Sequence, residues 1–185
     1  MKPIFTIHAG EYLVGSHIEE TYKKARVWLP SKDTGIDLLV TNEQLDRTVS
    51  LQVKFSKDFL GNKDSTNALL QTRIKAGGWW TFNFEKIKNS PADLWILVLY
   101  RFSHRDFDFV IIAPSQLLER YEKLGHRSGT IQSYVWVTES GKCWETRGLK
   151  KAEQESIADE TFNDPIRSLS EFLNNWRPLV EKIGL

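Results

Sequence analysis

The residues Thr48–Phe55, TVSLQVKF, constrain this chain more than any other stretch. Val49, Leu51, Val53 and Phe55 alternate with Ser50, Gln52 and Lys54, the period-two pattern of a strand with one apolar and one polar face. Gln52 and Lys54 therefore project side by side from the polar face, ~7 Å apart along the strand. A polar amide and an amine held that way are available for chemistry as well as for solvation.

The surrounding pattern alternates helical and extended segments, which sets the fold class as α/β. Residues 8–24 read as a helix with Leu13, Val14, His17, Ile18 and Thr21 on one face and Glu11 close to it. Gly15 inside that helix costs about 1 kcal/mol relative to alanine, which suggests a close approach by another element. Strands are expected at Ala25–Pro30, Ile36–Thr41 and Thr48–Phe55, then a helix at Thr66–Lys75 stopped by Gly77–Gly78. Trp79–Phe84 reads as extended. Leu94–Phe102 and Phe107–Ala113 form an antiparallel pair, and Pro114–Leu124 a helix with proline in its first turn. Ile131–Thr138 and Cys143–Thr146 make a further hairpin.

The 185 residues suffice for one domain with a tail. It is expected at 1–149, with a mobile connector at 150–163 and a C-terminal helix at 164–185 packed on the domain, capped by Asp164 and kinked or broken by Pro178. With a single cysteine, Cys143, no intramolecular disulfide forms, which fits a reducing cytoplasm. No apolar leader core is evident in MKPIFTIHAGEYLVG, and no segment approaches the ~18 apolar residues of a membrane span. A cytoplasmic protein with no membrane partner is the expectation.

A net charge of +1 argues against a non-specific nucleic-acid coat but leaves room for an enzyme with a local basic face. Four histidines are dispersed without zinc-like spacing. Neither a glycine-rich phosphate loop nor a serine nucleophile with credible partners is present.

The chemistry concentrates in GEYLVGSHIEE, GIDLLV and LQVKFS. A chain reversal between Ile36 and Phe55 sets Asp37 beside Gln52 and Lys54, and packing the first helix on that sheet brings Glu11 into range. Carboxylate, amide and carbonyl oxygens suit Mg²⁺ or Mn²⁺. On this reading Asp37, Gln52, Glu11 and the Val53 carbonyl are metal ligands, and Lys54 orients the attacking water or steadies developing charge.

A glutamate on the first helix, an aspartate on a strand and x-[DEQ]-x-K on the next strand resemble the PD-(D/E)XK nuclease superfamily. The likeness is to its bacterial single-domain members that begin with a GExxV helix, and it covers roughly residues 8–113. It implies a restriction-endonuclease-like core, a central mixed β-sheet flanked by helices, and metal-dependent hydrolysis of phosphodiesters, of DNA in the first instance. It gives Glu11, Asp37, Gln52 and Lys54 the catalytic positions. Two departures stand out: Ile36 precedes the aspartate where the name-giving motif has proline, and Gln52 is uncharged where a carboxylate is usual.

Each residue also has a plainer reading. Asp37 fits a solvated strand end, Lys54 an edge lysine that discourages aggregation, and Glu11 a glutamate favoured by the helix dipole. Lys57, Lys63, Arg73 and Lys75 flank the motif as candidate phosphate contacts or as ordinary solvated cations. Of Trp79 and Trp80, one belongs in the core, because neighbours on a strand face opposite ways. His17 reads as a packed histidine. The aromatic-rich surface and C-terminal helix leave a homodimer open. The rival function is a nuclease-like fold without catalysis, serving as a nucleic-acid or protein interaction module.

Overall fold

The computed structural model describes residues 9–32, 34–57, 73–101 and 105–185. Helix α1 (Ala9–Thr21) leads into β1 (Arg26–Trp28), β2 (Leu38–Thr41) and β3 (Thr48–Lys57). Strand β4 (Ile74–Asn83) and helix α2 (Phe84–Lys88) precede β5 (Leu94–Arg101) and β6 (Asp106–Ile112). Helix α3 (Pro114–Lys123), strands β7 (Thr130–Thr138) and β8 (Cys143–Glu145), helix α4 (Lys151–Ala158), a 3₁₀ turn (Ser170–Phe172) and helix α5 (Arg177–Ile183) complete the order.

Two sheets result. The larger has five strands in the order β1-β2-β3-β5-β6, and the smaller has three in the order β4-β7-β8. All pairings are antiparallel except β3 with β5, where Leu51 aligns with Leu94 and Val53 with Ile96. The large sheet is therefore mixed, as expected. Its interior strand β5 is buried on both faces, which explains the unbroken apolar run LWILVL.

One face of the large sheet packs Leu51, Val53, Ile96 and Phe109 against Val14 and Ile18 of α1 and Leu179 and Ile183 of α5. Val14 and Ile18 lie four apart on one helix face and are fully buried, each burial stabilising by about 1.5–3 kcal/mol. The opposite face packs Trp95, Leu97 and Val110 against Trp80, Phe82 and Val135 of the small sheet, with Ile87 and Leu117 from α2 and α3. Helices flank the mixed sheet on both sides, but the small sheet covers much of its second face.

Three expectations are corrected. Ile74 and Lys75, read as the end of a helix, begin β4, and Gly77–Gly78 sit inside that strand. A Cβ at Gly78 would lie 2.4 Å from Trp80 Cη2, so this glycine is a notch for the indole rather than a helix stop. Residues 150–163 contain α4 instead of a bare connector: Ile157 and Ala158 are buried against Ile74, Trp144 and Leu149, and the Glu153 carboxylate accepts the Lys150 N–H at 2.8 Å. Two buried residues in eight leave too little periodicity to read.

The segment from Asp164 onward is not one helix. Leu169 and Phe172 join the core between the sheets, while Trp176, Leu179 and Ile183 join the core under α1. The chain changes sides at Asn174, which has φ +52° and is tied to β6: its N–H donates to Phe109 O at 2.6 Å and its Oδ1 accepts Phe109 N–H at 2.8 Å. Helical spacing in the sequence is thus shared between two cores. Pro178 falls in the first turn of α5, where its missing N–H is harmless. Among the described residues no helix is long and apolar enough to cross a membrane.

Candidate active site

Strand β3 runs past the point where β2 begins. Gly35, at φ +85° and placed where a Cβ would lie 3.4 Å from the Pro91 ring, turns the incoming chain, and Asp37 arrives just before β2. Its N–H donates to Leu51 O at 2.8 Å, and its Oδ2 accepts the Val53 N–H at 2.8 Å. The carboxylate therefore stands at a fork in the sheet, where strand pairing gives out. The N–H and C=O of one strand residue leave on the same side. The Val53 carbonyl consequently faces the Asp37 side of β3.

A cleft of about 1140 Å³ opens at this fork. Glu11, Asp37, Gln52, Val53 and Lys54 all line it, together with Trp95. The five motif residues gathered from sequence thus meet in one depression. Glu11 enters from the first turn of α1 and is only 8% exposed. Its neighbour Gly10 permits this: a Cβ there would lie 2.8 Å from Phe55 Cβ. The close approach expected at Gly15 is ordinary contact, 3.5 Å from Val27 Cγ1, so the tight glycine is Gly10.

Lys54 is held from two directions. Its Nζ lies 5.5 Å from the centroid of the Trp95 ring, a cation–π distance, and Trp95 is fixed in turn by an Nε1–H bond to Ser90 Oγ at 2.8 Å. Its carbonyl accepts the Trp80 Nε1–H at 3.1 Å. Trp80 is buried, in line with the expectation that one of the two tryptophans belongs to the core.

The far wall comes from the end of β4 and from α2. Asn83 Oδ1 accepts the Lys86 N–H at 3.0 Å and starts α2, setting Glu85, Lys86 and Asn89 along the cleft. Sequence reasoning missed this wall. The signal was the N-F-E-K run, an asparagine N-cap followed by a first-turn glutamate, hidden behind the aromatic strand WWTFNF.

Two of the four flanking cations go elsewhere. Lys75 forms an ion pair with the buried Asp108 at 2.9 Å, and Arg73 pairs with Asp159 at 3.1 Å beside the end of α4. Neither lines the cleft. Lys57 ends β3, and Lys63 lies outside the described residues. His17 stacks on Trp176 and tilts against Phe109, each at 5.1 Å between centroids, and burial lowers its pKa, as suits a packed neutral imidazole.

Among the described residues no three His, Cys, Asp or Glu side chains gather as a metal site. A cation in this cleft would depend on amide and main-chain oxygens beside Asp37. No family model, curated protein or solved structure matches the chain.

Proposed function

We propose that this cleft is the active site of a metal-dependent nuclease with a restriction-endonuclease-like core, acting on DNA. The observation that carries the reading is the convergence of Asp37, Gln52, Val53, Lys54 and Glu11 at the fork between β2 and β3. The order α1-β1-β2-β3, followed by a strand parallel to β3, supports the core assignment.

The donor set is all oxygen: the Asp37 carboxylate, the Gln52 amide, the Val53 carbonyl and the Glu11 carboxylate. This suits a hard divalent cation such as Mg²⁺ or Mn²⁺ rather than zinc. Such an ion, when bound, polarises the scissile phosphate and offsets charge on the leaving oxygen. Asp37 orients its carboxylate through the Val53 N–H, so no side-chain rotation is needed when phosphate arrives. Lys54, steadied over Trp95, orients the attacking water and balances charge on the phosphoryl oxygens. Glu11, nearly removed from solvent, accepts a hydrogen bond from that water.

The test is incubation with supercoiled plasmid and with single-stranded DNA in Mg²⁺ or Mn²⁺, beside Asp37→Asn, Lys54→Met and an EDTA control. Metal-dependent cleavage reduced by at least about 10²-fold in both variants is expected. Cleavage retained in both would overturn the assignment. Gln52 motivates the rival reading, a catalytically silent module. Mn²⁺ titration by calorimetry separates the two, because the silent module has no need of a cation at Asp37.

A further inference from the structure

A row of three side chains crosses the outer face of the small sheet. The Trp79 and Tyr134 rings stack with centroids 6.2 Å apart and planes 25° apart, and the Arg147 guanidinium lies 5.3 Å from the Tyr134 centroid. Their order follows the sheet: Arg147 just beyond β8, Tyr134 on β7 and Trp79 opposite it on β4. The row spans two strand spacings, ~10 Å. It ends at the β4 edge that faces β3, where the Trp79 N–H donates to Ser56 Oγ at 2.8 Å, two residues beyond Lys54. The next residues of β4, from Trp80 to Asn83, line the cleft itself.

Trp79 is 36% exposed, although its neighbour Trp80 is buried. The Arg147 side chain makes no ion pair among the described residues, so no carboxylate among them answers its charge. The positions beside the rings, Thr81 and Gln132, are polar and exposed, which suits a wet partner better than an apolar protein surface.

We propose that Trp79, Tyr134 and Arg147 form a stacking platform for single-stranded nucleic acid leading into the cleft. Unpaired bases present a free π-face to the exposed Trp79 ring whatever their sequence, Tyr134 backs that ring, and the Arg147 guanidinium behind it answers the phosphate charge. In a duplex those faces are covered by neighbouring bases, so the platform selects unpaired strands. The fate of the bound strand rests on the nuclease reading. Binding itself does not.

The test is fluorescence anisotropy of the full chain in EDTA, with a short labelled single strand and the blunt duplex built from it. Wild type binds the single strand more tightly. Trp79→Ala weakens single-strand binding about tenfold, while Trp79→Phe, which keeps a ring, retains most of it. Arg147→Gln lowers the salt slope by about one. Duplex affinity stays at the wild-type value in all three. Unchanged single-strand affinity in Trp79→Ala and Arg147→Gln overturns the platform, and so does an equal loss on duplex and single strand. Should Trp79→Ala fail to fold, Arg147→Gln decides on its own. Because EDTA removes catalysis from the measurement, a wild type that never cleaves DNA sinks the nuclease reading alone. Unchanged binding with intact cleavage sinks the platform alone.

Discussion

The Asp37 carboxylate accepts the Val53 main-chain N–H at 2.8 Å, in the position a partner strand's carbonyl would otherwise take. One side chain thereby closes the β2–β3 ladder and defines the rim of the cleft. This structural role and the chemical role proposed for Asp37 separate by mutation. Asp37→Ala leaves the Val53 donor without its acceptor and costs about 1–3 kcal/mol. Asp37→Asn keeps an acceptor and loses the charge, so its melting temperature stays near wild type while metal-dependent cleavage disappears. Thermal melts of both variants beside plasmid cleavage check this. Equal destabilisation by both would show that charge, not the hydrogen bond, holds the fork.

The two glycines of α1 differ in what surrounds them. Gly10→Ala drives a methyl to 2.8 Å from Phe55 Cβ and is expected to destabilise by about 1–3 kcal/mol while pushing Glu11 away from the cleft. At Gly15 the added Cβ meets only Val27 Cγ1 at 3.5 Å, and Gly15→Ala gains helix propensity of up to about 1 kcal/mol. Chemical denaturation should move the two variants in opposite directions.

Gly78→Ala places a methyl 2.4 Å from the Trp80 indole, which is itself bonded to the Lys54 carbonyl. Destabilisation of about 1–3 kcal/mol is expected, or roughly 2–4 °C in Tm per kcal/mol for a domain this size. A melting curve unchanged by the substitution would show that the indole moves freely.

Glu145 contributes to the response to pH. Burial pushes its carboxyl up to about 7, outweighing main-chain hydrogen bonds from Arg147 and Tyr134 and the nearby Arg167. The folded protein then holds this proton more tightly than the unfolded chain. The corresponding stability is complete below the ordinary value of 4.5 and is lost as pH rises through about 7. Glu145→Gln should lose less stability than wild type across that window. Half-buried His17 works in the opposite sense over part of it, so the difference between variant and wild type carries the test. A variant whose melting profile parallels wild type from pH 4.5 to 7 would refute this role for Glu145.

Asp93 acts at the acid end. Burial alone would raise its pKa, but the Ser50 N–H at 2.9 Å, the Ser50 hydroxyl at 2.7 Å and Lys182 together hold it below the ordinary range. Its stabilisation is present above pH 3.8 and lost as pH falls through the depressed value. Asp93→Asn should therefore show a shallower loss of stability on acidification, read from melting temperatures between pH 2 and 5.

Local pattern by itself determined much of this protein. Period-two alternation in TVSLQVKF placed Gln52 and Lys54 on one face of a strand, and the apolar run LWILVL marked a second strand of ordinary length. Those features depend on neighbours in the chain, so the chain displays them. Tertiary structure decided the rest. Whether Gly77–Gly78 ends a helix or notches a strand depends on the Trp80 ring lying across Gly78. Whether the apolar residues after Asp164 form one helix depends on Asn174 anchoring to β6 and dividing them between two cores. The placement of α2 opposite Asp37 as the far wall and the pairing of Lys75 with Asp108 arise from contacts between residues distant in sequence. Such contacts leave no periodic trace, because their energy comes from burial and charge pairing that exist only once both sheets are stacked.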